Sequence, residues 1–302
     1  MTLSRRLFSA GGGGDSFAPP LPGVDYFTIL AVGETIAYQS PFNATTLARG
    51  QATIAAMAAE ENVDAILILG DVSNDQGSAA NYVVVESSYT AIIDKVHPVP
   101  GNHDYLDYVY GTHDTPAYFS TFAGFGESMK GWYSFDLGGW HLIALNSNYD
   151  EAGVGVSGAS EQGLWLANDL AANAGKHILA YWHQPVVTST AYSDDTFWKS
   201  AGSFWDQLYD AGAEIILNGH AHLYERYSRM DADGAQDDAG PRQFIAGTAS
   251  SNHSITNTPT YMETRASVIG YLKLTLMADS YSWDYRTVIG TYTDTGSCDV
   301  HP

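Results

Sequence analysis

The chain has 302 residues, 45% of them hydrophobic, enough for one large α/β domain or two smaller ones and too many for bulk disorder. Its 34 acidic residues against 13 basic ones give a formal net charge of −21, so neither nucleic acid nor an anionic membrane is expected as a partner. No apolar run approaches the ~18 residues of a membrane helix, and the one cysteine, Cys298, excludes an intrachain disulfide and leaves the compartment undecided.

Residues 1 to 24 contain LSRRLFSAGGGG and a Pro-rich stretch. The Arg5–Arg6 pair resembles the opening of a twin-arginine export signal, but glycines follow where an apolar segment belongs. The stretch reads instead as a flexible Gly/Pro-rich arm that offers an assembly contact, ahead of one domain over residues 25 to 302. An acidic, Lys-poor surface favours an extracytoplasmic or virion-associated setting. DYFTILAVG (25 to 33) reads as a buried strand and TTLARGQATIAAMAAEE (45 to 61) as an Ala-rich helix. VDAILILGD (63 to 71) is a second buried strand, residues 82 to 94 a helix, and VHPVPGNHD (96 to 104) a short strand running into a polar loop. YSFDLGGWHLIALNSN (133 to 148) has the Gly-Gly signal of a hairpin. SEQGLWLANDLAAN (160 to 173) is a helix with a capping-type start, KHILAYWHQP (176 to 185) a strand, and SAGSFWDQLYDAG (200 to 212) a helix closed by Gly212. AEIILNGHAH (213 to 222) is a further strand, and RQFIAGTAS, YLKLTLMADSYSWDYRTVIG and a Thr-rich tail supply the last ones. This order predicts a layered α/β sandwich with mixed pairing rather than a closed barrel.

The polar residues fall in one kind of place. Glu34, Asp71, Asn102, His183, His220 and His222 each stand at or just past the C-terminal end of an apolar strand, the edge where open α/β sheets put their ligands. Each alone has an ordinary explanation. Gly70-Asp71 ends strands in many proteins, Pro100-Gly101-Asn102 is a turn signal, and a lone His183 in an apolar strand is commonly a satisfied core histidine. His220 and His222 stand two apart, on one face if the strand continues, where neutral imidazoles serve a metal better than a core. The coincidence of all of them at one edge favours a site.

In this order, GD (70 to 71), GNHD (101 to 104), His183 and GHAHLYER (219 to 226) resemble the calcineurin-like metallophosphoesterase superfamily. FDLGGWHLIALNS and LAYWHQPVV are similar to its purple-acid-phosphatase-like branch. The similarity runs from about residue 25 to about residue 298. It implies an α/β fold, the four-layer α/β/β/α sandwich, with one or two divalent or trivalent metal ions per chain (Mn, Zn or Fe). By the same resemblance Asp71 bridges two metals, Asn102, His183 and His220 complete the second site, and His222 joins the first. His103 stands beside the substrate, with Asp104 orienting its ring. The implied reaction is attack of a metal-bound hydroxide on a small phosphate ester, most simply a monoester. A mixed N/O ligand set without thiolates suits Zn, Mn or Fe.

Two positions depart from the pattern. The family's first strand ends in Asp, commonly as Asp-x-His or Asp-x-Gly, and here the position is Glu34 with Ile36 beyond it. Purple acid phosphatases place a Tyr three residues after the bridging Asp, and here Asn74 stands there with Asp75 beside it. The first site is left with Glu34, Asp71 and His222, and one tight ion beside one weak or absent ion is expected. Two other readings stay open: a catalytically weakened binding or virion/surface decoration protein of this fold, and a phosphodiesterase. Tyr105, Tyr108 and Tyr110 read as loop packing, Arg226 as a partner of carboxylates, and His141 and His177 as core residues. His253 is left without a role.

Overall fold

FTILAV and AILIL are almost free of polar residues, the pattern of strands covered on both faces, and they become neighbours at the centre of one sheet. The structure, a computed structural model, describes residues 6–7, 21–22, 26–37, 43–74, 77–105, 116–126, 129–148, 155–190, 202–231, 233–256 and 258–301. Most of the predicted arm lies outside these residues, as do Asp75, Tyr108 and Tyr110; Arg6–Leu7 and Leu21–Pro22 form a minimal antiparallel pair.

The first half builds β1 (Phe27–Val32), α1 (Ala44–Ala58), β2 (Ala65–Leu69), α2 (Ala79–Tyr89), β3 (Val96–Val99) and α3 (Pro116–Thr121). The middle builds β4 (Tyr133–Leu137), β5 (Trp140–Ala144), α4 (Glu161–Ala172), β6 (His177–Trp182), α5 (Gly202–Asp210) and β7 (Ile215–Asn218). The chain closes with β8 (Tyr224–Arg229), β9 (Arg242–Ala246), β10 (Met262–Ala266), β11 (Ile269–Leu276), β12 (Ser280–Ile289) and β13 (Thr295–Asp299). One sheet runs β13-β12-β11-β1-β2-β3 and the other β10-β8-β9-β7-β6-β5-β4. In the first sheet β1, β2 and β3 run parallel and β11 to β13 add on antiparallel; in the second β5, β6, β7 and β9 run parallel at the centre and β4, β8 and β10 flank them antiparallel. Caps fix the helix starts: Asn43 accepts from the Thr45 amide at 2.8 Å, and Ser160 accepts from Gly163 N at 3.1 Å.

The sheets pack face to face through Ile29, Leu67, Leu142, Leu179, Leu217, Phe244, Leu272 and Trp283. Helices α1 to α3 cover the outside of the six-stranded sheet, and α4 and α5 cover the other. Each such side chain, once buried, contributes about 1.5–3 kcal/mol of apolar transfer. The result is the four-layer α/β/β/α sandwich. Among the described residues no helix is long and apolar enough to cross a membrane. Three elements went unread in the sequence. The β8 strand YERYSR buries Glu225 where alternation expects an apolar residue, METRA (β10) is largely polar, and α3 is two turns long.

The two sheets are stitched where their parallel strands end. Gly33 N donates to Ala246 O at 2.8 Å and Ala249 N to Gly33 O at 3.2 Å, so the ends of β1 and β9 meet. That seam gathers the loops after β1, β2, β3, β6 and β7 onto one edge.

Candidate metal centre

The motif residues leave their strands through left-handed backbone. Glu34 has φ 55°, Asp71 48°, His220 65° and His222 51°. A non-glycine residue held there costs on the order of 1–3 kcal/mol and persists only where surrounding bonds over-determine it. Such bonds are present: Glu34 N to Gly70 O (3.2 Å), Thr35 N to Asp71 O (3.0 Å) and Ala221 N to Gly219 O (2.7 Å). Local geometry thus turns four side chains out of their strands at one edge. Gly70 (φ 86°) makes room for the site, since a methyl there would overlap the His183 ring.

Asp71, His183 and His220 each offer a ligand atom, all within 4.8 Å of one another. His183 donates Nδ1–H to Leu69 O at 2.8 Å, which turns Nε2 toward Asp71 Oδ1 at 3.4 Å. Asn102 Oδ1 stands 3.0 Å from His183 Nε2 and 3.0 Å from His220 Nδ1. Four nitrogen and oxygen atoms converging at such distances form a cation's ligand shell in waiting. Burial alone would raise Asp71, but His183, His103 and His220 hold its carboxyl below the usual carboxylate range. Burial works against the charged form of His183 too, and Asp71 beside it lifts the ring to about 9. His220 is driven well below the ordinary histidine value by burial and by His183, so it is held neutral, the form that ligates metal.

The second group is Glu34, Asp71 and His222, again within 4.8 Å and wholly buried. Asp71 is common to both. Glu34 Oε1 accepts from His220 N and lies 3.7 Å from His183 Nδ1, while Oε2 has no hydrogen-bond partner among the described residues. Burial pushes this carboxyl up to about 8. A buried carboxylate oxygen left so is costly, and a cation at this place would satisfy it. The donor set and the orphaned oxygen therefore fit a metal pair. Gly247 leaves the space that the longer side chain needs, because a methyl there would overlap Glu34 Oε2. Burial and the stacked His253 pull His222 down to about 3. Asn74 is buried with neither amide atom hydrogen-bonded among the described residues.

His103 N donates to Asp71 Oδ1 at 2.9 Å, which ties the GNHD turn to the shared carboxylate. Asp104 is wholly buried and accepts from Gly101 N (2.8 Å), Ser73 N (2.9 Å), Val72 N (3.1 Å) and Tyr82 Oη (2.7 Å). These bonds fasten the loop after β3 to the loop after β2. A buried amide network does the same for the other sheet. Asn148 Nδ2 donates to Pro100 O at 2.8 Å and Gln184 Nε2 to Asn148 Oδ1 at 3.0 Å, so the residue after His183 is linked to the residue before GNHD. Asn146 Nδ2 donates to Tyr105 Oη at 2.9 Å, which makes Tyr105 packing, as read from the sequence. Arg226 is held by Asp294 at 2.8 Å and by Glu263, over the Trp283 ring. His141 lies between Asp136 (2.8 Å) and Asp169 (2.7 Å), and His177 contacts Ala278 O at 2.9 Å. Asn148, Gln184 and Ser251 go unread in the sequence, and His253 stands there without a role. Of these only the pairing of NSN with YWHQP, both after apolar strands, offered a signal.

Comparison with known proteins agrees with this arrangement. The calcineurin-like phosphoesterase family matches residues 28–224. Purple acid phosphatase 15 of Arabidopsis thaliana is 32% identical over 158 residues, 49% of this chain and 28% of that protein. A probable cyclic nucleotide phosphodiesterase of Vesicomyosocius okutanii subsp. Calyptogena okutanii (strain HA) is 28% identical over 171 residues, 56% of this chain and 66% of that protein. A purple acid phosphatase from yellow lupin (Lupinus luteus) seeds superposes with a TM-score of 0.77 at 16% identity, over 92% of this chain and 55% of its own, and so shares the fold. The chain thus spans about a quarter of the plant sequence relative and about half of the lupin structure. With the match running from β1 through both histidines of GHAH, the chain belongs to the calcineurin-like phosphoesterase family, and purple acid phosphatases are among its relatives.

Proposed function

We propose that the chain hydrolyses small phosphate monoesters at a two-cation centre. The observation that carries the reading is the sharing of Asp71 between two ligand groups, each gathered within 4.8 Å. Asp71, Asn102, His183 and His220 would hold one ion, and Glu34, Asp71 and His222 would hold the other, more weakly. When bound, divalent ions neutralise phosphoryl charge and acidify water.

The remaining work belongs to the chain. His103, at the partly exposed tip of the GNHD turn, donates a proton to the leaving oxygen or a hydrogen bond to the phosphoryl group. Asp104 has no exposure and cannot touch substrate, so its part is to hold that turn in register with Asp71. The seam between β1 and β9 and the Asn148–Gln184 bridge keep ligands from both sheets at fixed separation, the pre-organisation that such catalysis needs.

The purple acid phosphatase relative supports the monoester, and the probable cyclic nucleotide phosphodiesterase relative supports a diester as the second reading. Turnover of p-nitrophenyl phosphate and of bis(p-nitrophenyl) phosphate by protein reloaded with Mn or Zn separates them. The expected result is faster monoester turnover that falls at least ~100-fold in Asp71→Asn. Faster diester turnover would move the chain to the phosphodiesterases. Full metal loading with neither turnover would leave a binding protein of this fold.

A further inference from the structure

The loop after β9 supports the weaker ligand group from several sides. Ser250 Oγ donates to Glu34 O at 2.5 Å, and Thr53 Oγ1 donates to Ala249 O at 2.8 Å, pinning the loop to α1. Gly247 leaves room for the Glu34 carboxylate. Beyond them, Ser251 Oγ lies 2.5 Å from His222 Nδ1. The His253 ring stacks on His222 with centroids 4.0 Å apart and planes 4° from parallel. His253 is itself fixed, its N donating to His222 O at 3.0 Å and its O accepting from Ser267 Oγ at 3.0 Å.

We propose that Ser251 and His253 are positioning residues for His222, and that this loop is what makes Glu34 and His222 a working ligand pair where the family's first-strand Asp is replaced. The inference rests on the two-cation reading above. Ser251 engages Nδ1, which leaves Nε2 as the nitrogen that meets a cation. A ligating imidazole needs its second nitrogen occupied by an acceptor, because that bond sets both tautomer and ring direction. With Nε2 given to a cation, Nδ1 carries the proton and donates it to the serine oxygen. The stacked ring removes the remaining freedom, rotation of the imidazole about its own bond. Neither residue belongs to the Asp71–His183–His220 group, so the two ion positions respond separately.

The test is stepwise loading of chelator-stripped protein with Mn²⁺, read as ions per chain by elemental analysis, for the wild type and for Ser251→Ala, Ser251→Thr, His253→Ala and His253→Phe. Wild type is expected to take up two ions. Ser251→Ala and His253→Ala keep the first and bind the second about 10–100-fold more weakly. Ser251→Thr restores the acceptor, and His253→Phe restores the stack; both recover second-ion binding. The melting temperature of stripped protein stays at the wild-type value throughout. Alanine variants that load both ions as wild type does overturn the proposal and leave the family reading intact. Loss of both ions together, or a drop in the stripped melting temperature, overturns it too, by showing a merely structural role. A wild type that takes up fewer than two ions overturns the two-cation reading itself, a result visible before any substitution is made.

Discussion

At position 34 a buried carboxylate sits on left-handed backbone, with one oxygen unpartnered among the described residues. Burial is the largest influence on it and drives its pKa upward. Without a cation, then, Glu34 lowers the stability of the fold it belongs to. Replacing it with Gln keeps the shape and the acceptor for His220 N while removing the charge. Glu34→Gln is therefore expected to raise the stability of metal-stripped protein at about pH 7 by about 1–3 kcal/mol, because an amide spares the proton uptake on folding that a carboxyl pushed up to about 8 requires. The same change weakens uptake of the second ion. Urea denaturation of stripped protein beside metal titration reads both effects, and a destabilised stripped variant would sink the argument. The site's ligands were legible because Asp, Asn and His, each ordinary at a strand end, coincide at one edge and in a fixed order along the chain. Gly247, Ser251 and His253 were not, since Ser251 meets His222 across 29 residues and nothing in GTASSNHS marks serine as a partner of imidazole.

Elements were readable where one face or both are apolar, and unreadable where a polar side chain is buried for a tertiary reason. YERYSR became β8 because Glu225 turns inward to accept from Ser189 N (3.2 Å) and Tyr227 Oη (2.7 Å), bracing the segment after His183. No periodicity encodes that. His141 shows the same effect at the far side of the sheet, where it joins β5 to β4 through Asp136 and to α4 through Asp169. Burial by itself would lower the pKa of His141, but the two carboxylates outweigh it and raise the value. A raised folded-state value means that the imidazolium stabilises the fold fully below the ordinary histidine pKa. That contribution disappears as pH climbs through the raised value. His141→Gln is expected to cost about 1.5–3 kcal/mol at about pH 6, the scale of hydrogen bonds to charged groups. The gap between variant and wild type narrows by about pH 9. Thermal unfolding at the two pH values measures it, and a gap that widens with pH would refute the ion-pair account.

At the scale of the molecule, parallel strands of two sheets end on one edge, and residues far apart in the chain meet there. The sandwich was legible from the order of buried strands and helices, whereas the stitching of β1 to β9 is a property of backbone atoms alone and has no residue signature. The chain as a whole carries a formal charge of −21, and any phosphate ester must approach through its field. Screening shortens the reach of this repulsion from roughly 30 Å at about 0.01 M salt to about 8 Å at about 0.15 M. The cations of the centre act over a few ångströms within a low-dielectric pocket and are screened far less. Encounter and chemistry therefore respond differently to salt. For metal-loaded protein, kcat/KM on p-nitrophenyl phosphate is expected to rise several-fold over that range, with kcat nearly constant. Initial rates at fixed metal and pH, across a sodium chloride series, give both parameters. A fall in kcat/KM with added salt would mean that the centre's positive field reaches past the acidic shell and draws substrate in, and the long-range repulsion argued from net charge would then be wrong for this edge of the molecule.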